Sequence, residues 1–354
     1  MLARKKREKF NHLRGFFCPA PQKASKRLQG PKEAPKKTQK SVRKKLDEKS
    51  DSKEARKPMR PVRKSPKSYP RPPEWITRGS PFQSSVHALK EKLRKASLVT
   101  VCEEAKCPNI GHCFSRPTAT FMVLGETCTR HCSFCAVDGQ TFRKETTPPD
   151  PSEPQNLVQS IEALGLQHVV ITMVTRDDLP DGGAHHLARC VETIREELPA
   201  VKVEVLTSDF NGKEKDIAIA ADSKPHIFNH NVETVERLQM RIRHKSSYER
   251  TLRVLEYAKE RQPKMKSKSG LMLGFGEKYE EVVQTLKDLR NVGCEMLTIG
   301  QYLPPTRLHT ELKEYVHPSV FKELEKEAKA LGFTHAFCGP MVRSSYMADA
   351  QLEL

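Results

Sequence analysis

The chain has 354 residues, room for one large α/β domain or two ordinary ones, and carries a formal charge of +18. That excess is confined: residues 1–73 hold 25 Lys and Arg against 6 Asp and Glu, whereas the rest of the chain holds 37 against 38. A near-neutral body excludes a broad basic face for nucleic acid, and no apolar run is long enough to cross a membrane.

Residues 1–73 are rich in Lys, Arg, Pro, Ser and Gln and poor in apolar residues after Phe17. Such a segment buries too little surface to offset chain entropy, so it is expected to be a disordered basic tail. It could bind polyanions such as RNA, or serve as a solvated extension. Its first thirty residues partly fit a mitochondrial presequence, which would place the protein in the matrix; otherwise the absence of a secretory signal implies the cytoplasm. In either reducing compartment, clustered cysteines point to metal or catalysis rather than disulfides.

Residues 74–117 read as an N-terminal extension, followed by a body over 118–310 and a C-terminal segment over 311–354. Strand-like runs are TATFMVLG (118–125), HVVITMVT (168–175), KVEVLTSDF (202–210), HIFNHN (226–231), GLMLGFG (270–276) and MLTIGQYL (296–303). Helical periodicity fills the intervals; in 183–199 the apolar positions Ala184, Leu187, Ala188, Val191, Ile194 and Leu198 share one face. Alternating strands and helices predict a parallel sheet, and the continuously apolar strands suit a barrel or part of one. Chemistry then belongs at the strand C-termini. Each strand is indeed followed by polar or glycine-rich residues, among them GETCTRHC, TRDDLPDGG, TSDFNG and NHN.

Six of the ten cysteines fall between Cys102 and Cys135, spaced Cys102-x4-Cys107-x5-Cys113 and Cys128-x3-Cys132-x2-Cys135. Zinc sites usually pair two short knuckles into four ligands, whereas both groups here have three members. Three thiolates on one irregular loop can hold three irons of a [4Fe–4S] cube and leave the fourth iron open. Zinc, or cysteines that merely pack in a core, are the alternatives.

The C-x3-C-x2-C group after the first barrel strand, with Phe134 before its last cysteine, resembles the radical S-adenosylmethionine superfamily. The upstream triplet, with FNHNVETV (228–235), KSGLMLGFGE (268–277), LTIGQYLPP (297–305) and GPMVRSSY (339–346), is similar to the lipoyl synthase family from about Val101 to Ala350. That resemblance implies a partial (β/α)6 TIM-type barrel whose N- and C-terminal extensions carry an auxiliary cluster. It implies sulfur insertion at C6 and C8 of an octanoyl chain on a carrier-protein lysine, with S-adenosylmethionine as co-substrate, two per lipoyl group. Cys128, Cys132 and Cys135 would hold the radical-generating [4Fe–4S] cluster. Cys102, Cys107, Cys113 and Ser345 would hold a second, sulfur-donating [4Fe–4S] cluster, with Ser344 as the alternative oxygen. Implied partners are octanoylated lipoyl domains (2-oxoacid dehydrogenase E2 and the glycine cleavage H protein), reduced ferredoxin or flavodoxin, and cluster-assembly proteins.

Other residues carry two readings each. Gly182 and Gly183 could let backbone approach S-adenosylmethionine, or begin a helix with Asp181 near its cap. Asn229 and Asn231 end a strand as cofactor contacts or turn formers, and Arg243 pairs with a carboxylate or points to solvent. RSSY alone would be a helix cap or a solvated end. Cys190, Cys294 and Cys338 read as packing residues. The competing functions are another two-cluster radical enzyme, such as a methylthiotransferase, and a zinc- or cluster-stabilised nucleic-acid binder that uses the tail.

Overall fold

The computed structural model describes residues 71–76, 91, 99–105, 107, 109–110, 118–137, 146–345 and 348. The expected basic tail up to residue 70, the presequence within it and Cys113 lie outside the described residues.

Eight strands form one sheet in sequence order, from β1 (Val99–Thr100) through β2 (Thr118–Val123), β3 (His168–Met173), β4 (Lys202–Leu206), β5 (Ile227–Asn229), β6 (Lys266–Leu273) and β7 (Met296–Gln301) to β8 (His335–Cys338). β1 pairs antiparallel with β2, and every later pair is parallel. The two outermost strands, β1 and β8, do not pair with each other, so the barrel is incomplete.

Helices return the chain between strands: α1 (Val101–Glu104), α2 (Glu153–Leu164), α3 (Ala184–Glu197), α4 (Glu214–Asp222), α5 (Gln239–Ile242), α6 (Tyr248–Arg261), α7 (Tyr279–Asn291) and α8 (Pro318–Ala330). In α3 the face read from the sequence is the buried one, running Ala184, Leu187, Ala188, Val191, Ile194, with Cys190 at 0% exposure beside it. Ser247 accepts a hydrogen bond from the Arg250 N–H at 3.1 Å and so caps α6. One apolar cluster joins β2–β5 to α2, α3 and α4, and a second joins β6–β8 to α7 and α8.

All six expected strands are present, and the sheet has two more. β8 falls in the C-terminal segment over 311–354 that the sequence sets apart from the body. It extends the parallel sheet against β7, pairing Met296 with His335 and Ile299 with Cys338. Four residues beginning with His give too little apolar signal for a strand on its own. β6 begins at Lys266, four residues before the expected start, because its first half is polar yet buried.

The sheet register sets an interior row: Met122, Thr172, Leu206, Asn229 and Lys268 are successive partners across β2–β6. Beneath the row lies a buried ion pair, Lys268 Nζ to the Glu204 carboxylate at 3.0 and 3.1 Å, both side chains at 0% exposure. Buried charges of this kind persist only when paired and hydrogen-bonded; the Asn229 amide donates a further 2.9 Å bond to Glu204 Oε1.

Candidate active site

The cysteine loop after β2 is tied from four directions. Its Arg130 guanidinium is bidentate to Asp177 (both bonds 2.8 Å) and to Asp209 (2.9 and 2.7 Å), and it donates to Asn211 Oδ1 at 2.8 Å. These hydrogen bonds and charges hold both carboxyls below, and the guanidinium above, their ordinary pKa values, overcoming the opposing effect of burial. From the second side, Ser133 N–H donates to the Ile242 carbonyl at 3.1 Å. From the third, the Thr310 N–H donates to the Ser133 carbonyl at 2.8 Å, and His309 Nε2 is 3.0 Å from the Cys135 carbonyl oxygen. From the fourth, Phe134 meets Phe275 edge-on at 6.4 Å, and Phe275 stacks on Tyr302 at 4.3 Å.

Cys128, Cys132 and Cys135 from this loop, Cys102 and Cys107 from the upstream triplet, and Arg343, Ser344 and Ser345 from the C-terminal segment line a single cavity of about 360 Å³. None of the five cysteines forms a disulfide. Burial pushes Cys135 up to about 12 and raises Cys132, for which the Arg243 charge is the largest opposing influence. Thiols this hard to ionise alone become thiolates when a cation takes the proton's place. One zinc ion with bonds of about 2.3 Å would need its sulfurs within about 4 Å of one another. Among the described residues, the one set of three donors within 4.8 Å of one another is Glu153, His186 and Cys190, on the helical side of the sheet. The loop triplet is not such a set.

The C-terminal segment enters because the penultimate residue of β7 is Gly300. A Cβ on Gly300 would collide with the Val342 carbonyl, so the glycine lets backbone cross over the sheet end. Gly339 N–H and Pro340 C=O continue the pairing along β7. Asn109 Nδ2 donates to the Met341 carbonyl at 2.6 Å, joining the β1 edge to the β8 edge.

A model of the radical SAM superfamily matches residues 122–289, and one for the N-terminal domain of lipoyl synthase matches residues 17–107. Lipoyl synthase of Protochlamydia amoebophila is 49% identical over 282 residues, 79% of this chain and 86% of that protein. The Thiobacillus denitrificans protein of the same name is 48% identical over 292 residues, covering 82% and 93%, and that of Caldanaerobacter subterraneus 48% over 284, covering 80% and 98%. The chain belongs to the lipoyl synthase family.

As a lipoyl synthase it uses S-adenosylmethionine and two [4Fe–4S] clusters, and the structure sorts the residues singled out from the sequence. Five of the six cysteines, Ser345 and Arg243 share the cavity, with Arg243 donating to the Asn231 carbonyl at 3.0 Å rather than to a carboxylate. Gly182 and Gly183 do not line it. They begin α3, where Asp181 accepts from the N–H groups of Gly183 and His185, both at 3.0 Å, and a Cβ on Gly183 would strike Leu124. The helix-start reading is the one observed. Asn229 is also behind the wall, fully buried, donating to Ser344 Oγ at 2.7 Å, while Ser344 Oγ donates to Asn231 Oδ1 at 3.1 Å.

Sequence reasoning passed over Arg130, His309 and His230. His230 Nδ1–H donates to the Thr207 carbonyl at 2.9 Å, which leaves Nε2 a buried acceptor without a partner among the described residues, on the cavity wall. The signal available was positional: Arg130 lies between Cys128 and Cys132, and His230 between two asparagines at a strand end.

Proposed function

We propose that the chain inserts two sulfur atoms, at C6 and C8, into an octanoyl chain carried on a lysine of a lipoyl domain. Cys128, Cys132 and Cys135 hold the radical-generating cluster; Cys102, Cys107, Cys113 and Ser345 hold the sulfur-donating one. The observation that carries the reading is the single cavity lined by both cysteine groups and by the RSSY serines. When bound, the clusters and S-adenosylmethionine supply the adenosyl radical and the sulfide that an unactivated C–H bond demands and no side chain can provide.

The protein's own task is positioning and exclusion of water. Met122, Met173, Leu206 and Met272 give the cavity an apolar wall suited to an alkyl chain. Arg243 and the unpartnered His230 Nε2 offer a cation and an acceptor to the polar ends of S-adenosylmethionine. Ser344 supports the choice of Ser345 as the oxygen ligand. Its own hydroxyl is committed to Asn229 and Asn231, whereas the Ser345 side chain has no hydrogen bond among the described residues. Arg343, whose guanidinium is held below its ordinary pKa by burial and pushed back up by Cys107, places a charge beside the upstream thiolates.

The octanoylated lipoyl domains of 2-oxoacid dehydrogenase E2 and the glycine cleavage H protein fit as substrates. Reduced ferredoxin or flavodoxin fits as electron source, and cluster-assembly proteins as suppliers of the consumed cubane. No helix among the described residues is long and apolar enough to cross a membrane.

The test is anaerobic incubation of the reconstituted chain with dithionite, S-adenosylmethionine and an octanoyl-lysyl peptide. Lipoyl product is expected from the unaltered chain. Cys107→Ala should still release 5′-deoxyadenosine but yield no sulfur-containing product. Product formation by Cys107→Ala would overturn the assignment of the two cysteine groups.

A further inference from the structure

The geometry points to a docking face for a small acidic electron-carrier protein on the outer side of the radical-cluster loop, formed by Met240 and Arg241 of α5 and by Arg307 and Leu308 ahead of Thr310. It rests on the cluster assignment above.

Both segments are fixed to one loop residue. Ser133 donates through its N–H to the Ile242 carbonyl and accepts from the Thr310 N–H, and its hydroxyl is 3.3 Å from the Arg241 carbonyl oxygen. The segments therefore flank the stretch between Cys132 and Cys135. At these flanks the protein exposes what it hides elsewhere. Leu308 is 95% exposed and Met240 68%, the two largest values among the exposed large hydrophobics of the described residues. Such side chains brought to one rim mark an interaction surface more often than isolated ones do.

The charge around them is positive. Arg241 and Arg307 are exposed, and neither has an ion-pair partner among the described residues; His244, three residues after Arg241, is exposed as well. Of the nearest acids in sequence, Glu236 lies on the turn before α5, and Glu311 is bonded to Lys313 at 2.8 Å. An apolar pair ringed by unpaired arginines complements a carboxylate-ringed apolar patch.

Two occupants would need to reach this part of the molecule, and the lining of the cavity decides between them. None of Met240, Arg241, Arg307 and Leu308 lines it. A substrate chain must enter the cavity, so its carrier belongs over the opening; an electron donor needs only proximity to the cluster through the wall. The step itself moves one electron: the carrier is oxidised by one, the cluster held by Cys128, Cys132 and Cys135 is reduced by one, and no atom or proton is transferred.

The experiment uses the full reconstituted chain and a flavodoxin as the acidic carrier. Binding of oxidised flavodoxin is measured by titration, without turnover, alongside the rate at which reduced flavodoxin reduces the cluster. The double variant R241E/R307E should weaken binding about tenfold and slow flavodoxin-driven reduction to match, with both effects in the unaltered chain shrinking as salt rises. Dithionite-driven cleavage of S-adenosylmethionine should be unchanged in the same variant. M240S/L308S keeps the charges and should weaken flavodoxin binding while preserving its salt dependence. Unchanged flavodoxin binding in both variants would overturn the proposal. So would weaker binding of an octanoylated lipoyl domain with flavodoxin binding intact, which would give the face to the substrate. Failure of the underlying cluster assignment reads differently: the unaltered chain would then cleave no S-adenosylmethionine even with dithionite.

Discussion

The two sides of the cavity are held by opposite kinds of bond. On the side of the Cys128–Cys135 loop, a buried arginine grips two carboxylates in four short charged contacts and donates a fifth bond to the Asn211 amide oxygen. On the RSSY side, neutral groups do the holding: Asn229 to Ser344, Ser344 to Asn231, and Asn109 to the Met341 carbonyl. Charge-assisted bonds in a desolvated site are strong and geometrically strict, whereas neutral ones exchange partners at modest cost. The difference suits the two tasks. On the proposed assignment, the cluster that must return unchanged after every cycle would have a rigid cradle, and the one that surrenders sulfide a cradle that can let go.

The most severe way to break this comparison is Arg130→Met, which strands Asp209, buried at 0% side-chain exposure, without its principal partner. Loss of about 3–5 kcal/mol is expected, read by urea unfolding, together with loss of the loop cluster by iron count. Asn229→Ala should cost less, about 1–3 kcal/mol, because it removes a neutral bond to Ser344 and one to the Glu204 carboxylate, which keeps its Lys268 partner. Its signature is selective: less auxiliary iron and less product, with 5′-deoxyadenosine release retained. A pH effect should sharpen the picture of His230. Burial lowers this imidazole from 6.5 to about 4, so the unfolded chain takes up the proton first. Its contribution is intact above pH 6.5 and is lost progressively as pH falls towards 4. The drop in urea midpoint between pH 7 and pH 5 should therefore be smaller in His230→Gln than in the unaltered chain. The smallest effect is expected for His309→Ala, which removes one bond to the Cys135 carbonyl. About 1 kcal/mol is at stake, and the readout is faster bleaching of the loop cluster in air.

What the sequence made legible was local. The candidate cysteines stand out because each triplet spans a dozen residues or fewer, and the helix faces because their period is 3.6. The Arg130 grip was not legible, since its partners Asp177, Asp209 and Asn211 lie 47, 79 and 81 positions away. Only the return of three strands to one sheet end brings them together. Asn229 and Asn231 illustrate a second limit: two residues apart on one strand exit, they differ in depth, and depth is invisible in a motif. Gly182 and Gly183 illustrate a third, because a glycine pair serves a helix start as well as a ligand. β8 escaped because it is only four residues long, yet it carries the segment that brings Ser344 and Ser345 to the cavity.

The lack of strand pairing between β1 and β8, whose following segments are linked by the Asn109 bond to the Met341 carbonyl, has a mechanical meaning. Cys102 follows one free edge of the sheet and Ser345 follows the other, so a cubane anchored by both would act as a pin through an open hoop. On the proposed assignment, loss of that cubane would leave the two edges held by the protein's own bonds, among them Asn109 to the Met341 carbonyl. Amide exchange at β8 should accordingly quicken when the upstream cubane is absent, as in Cys107→Ala, and stay slow when Cys132→Ala removes the other.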